Sequence, residues 1–140
     1  MFESRTPLNV ALDEAPLRSD HEIVLARQMV RRLTQELGFS LVDQTKMVTA
    51  ASELARNALV YGGGGRMKWE LLDNGGRRGL KLTFSDEGPG IANVEIAMTD
   101  GWTSGKGLGM GLSGARRLVN QFEIDTRPGA GTRVTITRWK

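Results

Sequence analysis

The chain predicts an α+β fold, a two-layer sandwich in which helices cover one face of a mixed, mostly antiparallel sheet. Three observations lead there. Apolar residues recur at helical spacing through two long consecutive segments, and alternating segments come in pairs joined by short glycine-rich turns. The resulting order, β-α-α-β-β-α-α-β-β, clusters like with like too strongly for regular βαβ crossovers. At 140 residues the chain is expected to be one domain, 1–140, burying roughly two-thirds of its unfolded surface in a single core.

Leu8 to Leu12 alternates well enough for a first strand, and Asp13 to Arg18, with Pro16, reads as the loop that ends it. Ser19 and Glu22 form an S-x-x-E capping pattern. Behind it Ile23, Ala26, Val30, Leu33 and Leu37 share one stripe, so a helix is expected from Asp20 to Leu37, stopped by Gly38. Ser40 and Asp43 open a second helix whose buried side is Val48, Ala51, Leu54, Ala55, Ala58 and Leu59, ended by Gly62 to Gly65. Arg66 to Leu72 and Leu80 to Ser85 read as a hairpin turning at Asp73-Asn74-Gly75-Gly76, with Leu80, Leu82 and Phe84 inward. A short helix is expected at Asn93 to Met98, a loop from Asp100 to Gly111, and a last helix from Leu112 to Gln121 with Leu118 and Val119 buried. Phe122 to Thr126 and Thr132 to Trp139 close the chain as a second hairpin.

Composition narrows the classes of function. Apolar residues at 39% and charged residues at 25% are ordinary for a globular protein. The net charge of +3 is spread without a basic block, so direct nucleic-acid binding is not expected. Cysteine is absent, which excludes disulfides, thiolate metal sites and cysteine nucleophiles. No apolar run reaches the roughly 18 residues of a membrane span, and a soluble, cytoplasmic protein without membrane attachment is the expectation.

Three stretches carry candidate chemistry. Glu53 and Asn57 lie four residues apart in Ser52-Glu53-Leu54-Ala55-Arg56-Asn57-Ala58, about one helical turn, and so project from one face while Leu54 and the alanines pack behind. Asp86-Glu87-Gly88-Pro89-Gly90 follows a strand; it is either a plain turn or a rigid carboxylate beside backbone that a flat ligand can approach. Gly105-Lys106-Gly107-Leu108-Gly109-Met110-Gly111 runs into a helix; it is either a flexible surface loop or a cradle for phosphate oxygens. Neither the dinucleotide-binding nor the P-loop spacing fits it.

In this order the three pieces resemble the nucleotide-binding boxes of the GHKL ATP-binding fold, shared by gyrase, heat-shock chaperones, histidine kinases and mismatch-repair ATPases. The match covers Val48 to Trp139. The resemblance implies ATP and Mg²⁺ as cofactors, with Asn57 as the Mg²⁺ ligand and Glu53 as the base. It implies that Asp86 accepts the adenine amino hydrogen, that Gly88 and Gly90 shape the adenine pocket, and that Thr132 supports this contact. It also implies that Gly105, Lys106, Gly107, Leu108, Gly109 and Gly111 form a lid over the phosphates. Lys106 departs from the small residue expected there and either meets a phosphate or is solvated.

Small size, the Ser52 to Asn57 run, Val42-Asp43-Gln44 and Asp100-Gly101-Trp102-Thr103-Ser104 are most similar to RsbT-type switch kinases, relatives of the anti-sigma factor kinases. That likeness reaches back to about residue 8. It implies a serine/threonine protein kinase acting on a small STAS-domain antagonist in a partner-switching stress pathway, with a sigma factor or a PP2C-type phosphatase as further partners and a homodimer possible. A non-catalytic, nucleotide-dependent anti-sigma or adaptor protein is the alternative, and a stand-alone ATPase is disfavoured. His21 superficially resembles a histidine-kinase phosphoacceptor. Only 36 residues separate it from Asn57, too few for a dimerising hairpin, and an exposed histidine is expected.

Overall fold

In a computed structural model of the protein, residues 13–91, Val94, Met98 and 111–140 are described. Their elements run β1 (Glu14–Leu17), α1 (Asp20–Glu36), α2 (Leu41–Val60), β2 (Gly65–Asn74), β3 (Arg77–Asp86), α3 (Gly111–Arg117), β4 (Gln121–Arg127) and β5 (Gly131–Trp139). The strands form one sheet in the order β1-β2-β3-β5-β4. Every pairing among them is antiparallel, in keeping with the expected α+β fold and its mostly antiparallel sheet. The reason is topological: β4 runs in the same direction as β3, but β5 lies between them, so no two described neighbours are parallel.

The expected first strand at Leu8 to Leu12 lies outside the described residues. The segment expected as a loop, Asp13 to Arg18, instead contains β1, paired with β2 in the register Glu14↔Lys68 to Leu17↔Gly65. Pro16 is tolerated because β1 is an edge strand, where a missing N–H costs no ladder bond. Leu17, fully buried, anchors it.

Both long helices start as their capping residues demand. Ser19 Oγ accepts from the Glu22 N–H at 3.2 Å and Ser40 Oγ from the Asp43 N–H at 3.1 Å. The Glu22 carboxylate turns back to Arg18, taking its backbone N–H at 2.8 Å and its guanidinium at 2.9 Å. On α2 the buried stripe is Met47, Val48, Ala50, Ala51, Leu54, Ala55 and Ala58. The β2–β3 hairpin turns through Gly75 and Gly76 at φ 65° and 91°, the left-handed pair a two-residue turn needs, with Asp73 Oδ1 accepting from the Gly76 N–H.

The last helix is shorter than expected. It ends at Arg117, and Leu118 and Val119 are only partly buried. The sheet captures the chain first: the Asn120 N–H donates to the Thr137 carbonyl at 2.9 Å, and Asn120 Oδ1 accepts from the Trp139 N–H at 2.7 Å. The short helix expected at Asn93 to Met98 lies largely outside the described residues; Val94 is helical, and its carbonyl accepts from the Met98 N–H.

The core sits between the helices and one sheet face, to which Met67, Trp69, Leu80, Leu82, Phe84, Val134 and Ile136 contribute. Arg66, Lys68, Lys81, Thr83, Thr135 and Glu123 occupy the other, more open face. Among the described residues no helix is long and apolar enough to cross a membrane.

One long-range ion pair ties the layers together. Arg138 on β5 meets Asp43 on the first turn of α2 at 2.6 Å, both side chains mostly sequestered. The Arg138 hydrogen bond holds the Asp43 carboxyl below its ordinary value. A carboxyl depressed in the folded state stabilises above its unfolded pKa and loses that contribution as pH falls through the lower folded value. Asp43→Asn is therefore expected to cost on the order of 1 kcal/mol at neutral pH after solvent screening. In urea titrations the gap from wild type should narrow as pH falls below the ordinary aspartate range and Asp43 becomes protonated in the folded state; a gap that does not depend on pH contradicts the charge pairing.

Candidate functional site

The site forms where the C-terminal half of α2 meets the ends of β3 and β5. Burial of Leu54, Ala55 and Ala58 against the core sets the rotation of α2. Glu53 and Asn57 are left half-buried on the opposite stripe, as their spacing predicts. Asn57 Oδ1 is fully buried and has no hydrogen-bond partner among the described residues. Leaving such an oxygen unpaired costs about 1–3 kcal/mol. Gly111, the buried first residue of α3, stands beside it: a Cβ there would lie 3.4 Å from Asn57 Nδ2. Gly111 was expected in the lid and proves to be helical. Gly105, Lys106, Gly107, Leu108 and Gly109 lie outside the described residues.

Asp86 ends β3 directly across from Thr132 on β5. Its side chain is half-buried, and burial raises the carboxyl above its ordinary value while the backbone N–H groups of Gly88 and Thr132 oppose the shift by donating to it. The Gly88 bond is 2.9 Å. Among the described residues Asp86 is thus held by main chain rather than by a basic side chain.

Glycines make the space around it. A Cβ on Gly62 would fall 2.3 Å from Asp86 Cγ, one on Gly88 2.6 Å from Gly62 Cα, and one on Gly131 2.2 Å from the Asp86 carbonyl oxygen. A Cβ on Gly90 would meet the Arg127 carbonyl oxygen at 2.1 Å, so at Gly88 and Gly90 main chain lies directly against main chain. The same loop is bonded to the β4–β5 turn, where the Pro89 carbonyl accepts from the Gly129 N–H at 2.6 Å.

Thr126 was not singled out by sequence reasoning and sits at the centre of the loop's support. Its hydroxyl donates to the Gly131 carbonyl at 3.1 Å and accepts from the Ile91 N–H at 2.9 Å. With its proton so committed, the 2.8 Å contact with Thr132 Oγ1 is one in which Thr132 donates. Thr132 therefore keeps acceptor capacity beside Asp86. Pairing Thr126 with Thr132 across the Pro128 to Ala130 turn would have revealed this contact from the register alone.

Structure thus brings Glu53 and Asn57 together with Gly111 on one side, and Asp86, Gly88, Gly90 and Thr132 together on the other, bridged by Gly62 at the end of α2. His21, expected to be exposed, is exposed at the start of α1 and belongs to neither group. A buried, unpartnered carboxamide oxygen is the kind of hard donor Mg²⁺ takes, and a main-chain-held carboxylate beside glycine backbone suits a flat base with an exocyclic amine.

These glycines differ in a testable way. Gly129 and Gly131 both have positive φ, 80° and 91°, but a Cβ on Gly129 meets nothing within 4 Å whereas one on Gly131 strikes backbone. Gly129→Ala should cost about 1–2 kcal/mol of left-handed strain. Gly131→Ala should cost at least about 2 kcal/mol more, since main chain must move. Urea denaturation of the two variants checks this, and equal losses would refute the close approach.

Comparison with known proteins agrees with the geometry. The family model described as histidine kinase-, DNA gyrase B- and HSP90-like ATPase matches residues 42–140. The chain is 41% identical to the serine/threonine-protein kinase RsbT of Bacillus subtilis, over 88% of this chain and 92% of that one. It is 30% identical to an anti-sigma F factor of Clostridium acetobutylicum, covering 81% and 82% of the two chains. Among solved structures, the RsbU and RsbW domains of Rv1364c from Mycobacterium tuberculosis superpose with a TM-score of 0.61 at 20% identity, covering 97% of this chain and 34% of that one. The mycobacterial sensor histidine kinase MprB gives 0.56 at 17% identity, covering 90% and 95%.

Proposed function

The chain belongs to the histidine kinase-, DNA gyrase B- and HSP90-like ATPase family, in its branch of RsbT-type serine/threonine kinases, and from that premise we propose that it transfers the γ-phosphoryl group of Mg·ATP to a serine or threonine of a STAS-domain antagonist. The observation that carries this reading is the juxtaposition on α2: an orphaned Asn57 Oδ1 facing Gly111, with Glu53 one turn away on the same stripe.

Adenine is assigned to the Asp86 end. Its amino group would donate to the Asp86 carboxylate, with Thr132 accepting nearby and Gly88 and Gly90 letting the ring lie against main chain. The triphosphate then extends toward Asn57 and α3. Mg²⁺ held at Asn57 Oδ1 would neutralise charge on the transferring group.

Glu53 takes the acceptor side. Its carboxylate accepts the proton of the attacking hydroxyl as that oxygen bonds to the γ-phosphorus; the bond from phosphorus to the β–γ bridging oxygen breaks, and ADP leaves with the electron pair. Such base assistance is worth about 10²–10⁴-fold, the remainder coming from alignment.

A second reading is motivated by the likeness to anti-sigma F factors: nucleotide occupancy tunes the grip on a sigma factor or a phosphatase. Both readings need Asn57 and Asp86, and only catalysis needs Glu53. Glu53→Gln should reduce label transfer from γ-labelled ATP to a STAS-domain protein by at least about a hundredfold while ATP affinity by calorimetry stays within a factor of about two. Undiminished transfer removes Glu53 as the base. Wild-type protein that transfers nothing yet binds a partner only with nucleotide present favours the second reading.

A further inference from the structure

Among the described residues Asn57, Tyr61 and Arg138 each have a buried polar atom without a hydrogen-bond partner, and the proposed function gives Arg138 no part. Its Nη1 donates to the Leu118 carbonyl at 2.8 Å and its Nη2 to Asp43 Oδ1 at 2.6 Å, while Nε is buried without a partner among the described residues. Arg138 and Asp43 are 95 residues apart in sequence. Leu118 immediately follows α3, so its carbonyl is one of those a helix end leaves without an intrahelical partner. The guanidinium fork therefore joins three elements, the first turn of α2, the far end of α3 and β5.

What this junction holds is a helix that cannot hold itself. α3 has seven residues, well below the length at which a helix persists alone. Its other end is Gly111, against Asn57. Leu112 and Ala115 bury one side of it, and apolar packing is non-directional. The Arg138 bond to the Leu118 carbonyl is directional and ties that end of the helix, and the charge-assisted bond to Asp43 orients the guanidinium that makes it.

We propose that Arg138, oriented by Asp43, is a positioning residue that fixes α3 along α2 and thereby sets the phosphate end of the nucleotide site. This rests on the assignment of the Gly111 side to the phosphates. The junction touches neither Asp86 nor Thr132, so it acts on one end of the nucleotide and not on the other.

The experiment compares wild type, Asp43→Asn and Arg138→Lys, each checked for a native circular dichroism spectrum. Asparagine removes the charge with little change of shape; lysine keeps the charge but cannot supply the fork. Calorimetry with Mg·ATP and with adenosine, and hydrogen exchange of the 112–118 amides without nucleotide, are the readouts. Expected are a roughly tenfold loss of ATP affinity, adenosine affinity within about a factor of two, and amide exchange at least about tenfold faster. Equal weakening of both ligands, or unchanged exchange, overturns the proposal. A wild type that binds neither ligand refutes the nucleotide reading and with it the link to phosphates; the exchange data then still decide whether the junction holds α3.

Discussion

The rotation of α2 about its own axis is the constraint from which the rest follows. Met47, Val48, Ala50, Ala51, Leu54, Ala55 and Ala58 bury one side of the helix, and turning it by a single residue would expose apolar surface and sink Glu53 at once. Because that rotation is held by burial along twenty residues, the two polar side chains are presented to the site with little freedom lost on ligand binding. Small residues contribute in a second way. Gly111, without a side chain, comes close to the Asn57 carboxamide.

The Asp86 side is built on the opposite principle, the removal of side chains. Gly62, Gly88 and Gly131 each stand where a Cβ would collide with Asp86, its backbone or each other. Main chain therefore packs directly on main chain, and among the described residues the carboxylate is held by two backbone donors. Such an arrangement leaves Asp86 desolvated and available, which raises its pKa and costs stability at neutral pH, since a carboxyl shifted upward contributes most when protonated and loses that contribution as pH rises through its folded value. Strain of this kind collects at ligand sites and is offset by the core elsewhere.

Much of this was readable from residue order. The spacing of Glu53 and Asn57, the alternation of Leu80, Leu82 and Phe84, and the capping serines Ser19 and Ser40 are local patterns with one physical meaning each, and they identify α2, β3 and both helix starts. The rest depended on pairings that local pattern does not contain. Pro16 argued against a strand until its partner placed it on an edge. Periodicity through Leu118 and Val119 suggested a longer helix, but Asn120 bonds to β5. Thr126 looks like any strand threonine until register sets it beside Thr132. Gly62 read as a helix stop and turned out also to be the space that Asp86 occupies.

Asn57 is the residue on which the nucleotide account turns, because a buried oxygen without a partner is costly unless something binds it. Titration of ATP into wild type and Asn57→Ala, each with and without Mg²⁺, tests this most directly. Mg²⁺ is expected to tighten ATP binding to wild type by roughly tenfold or more, about 1.4 kcal/mol per decade, and the variant to lose this increment. An equal Mg²⁺ increment in both proteins would contradict it.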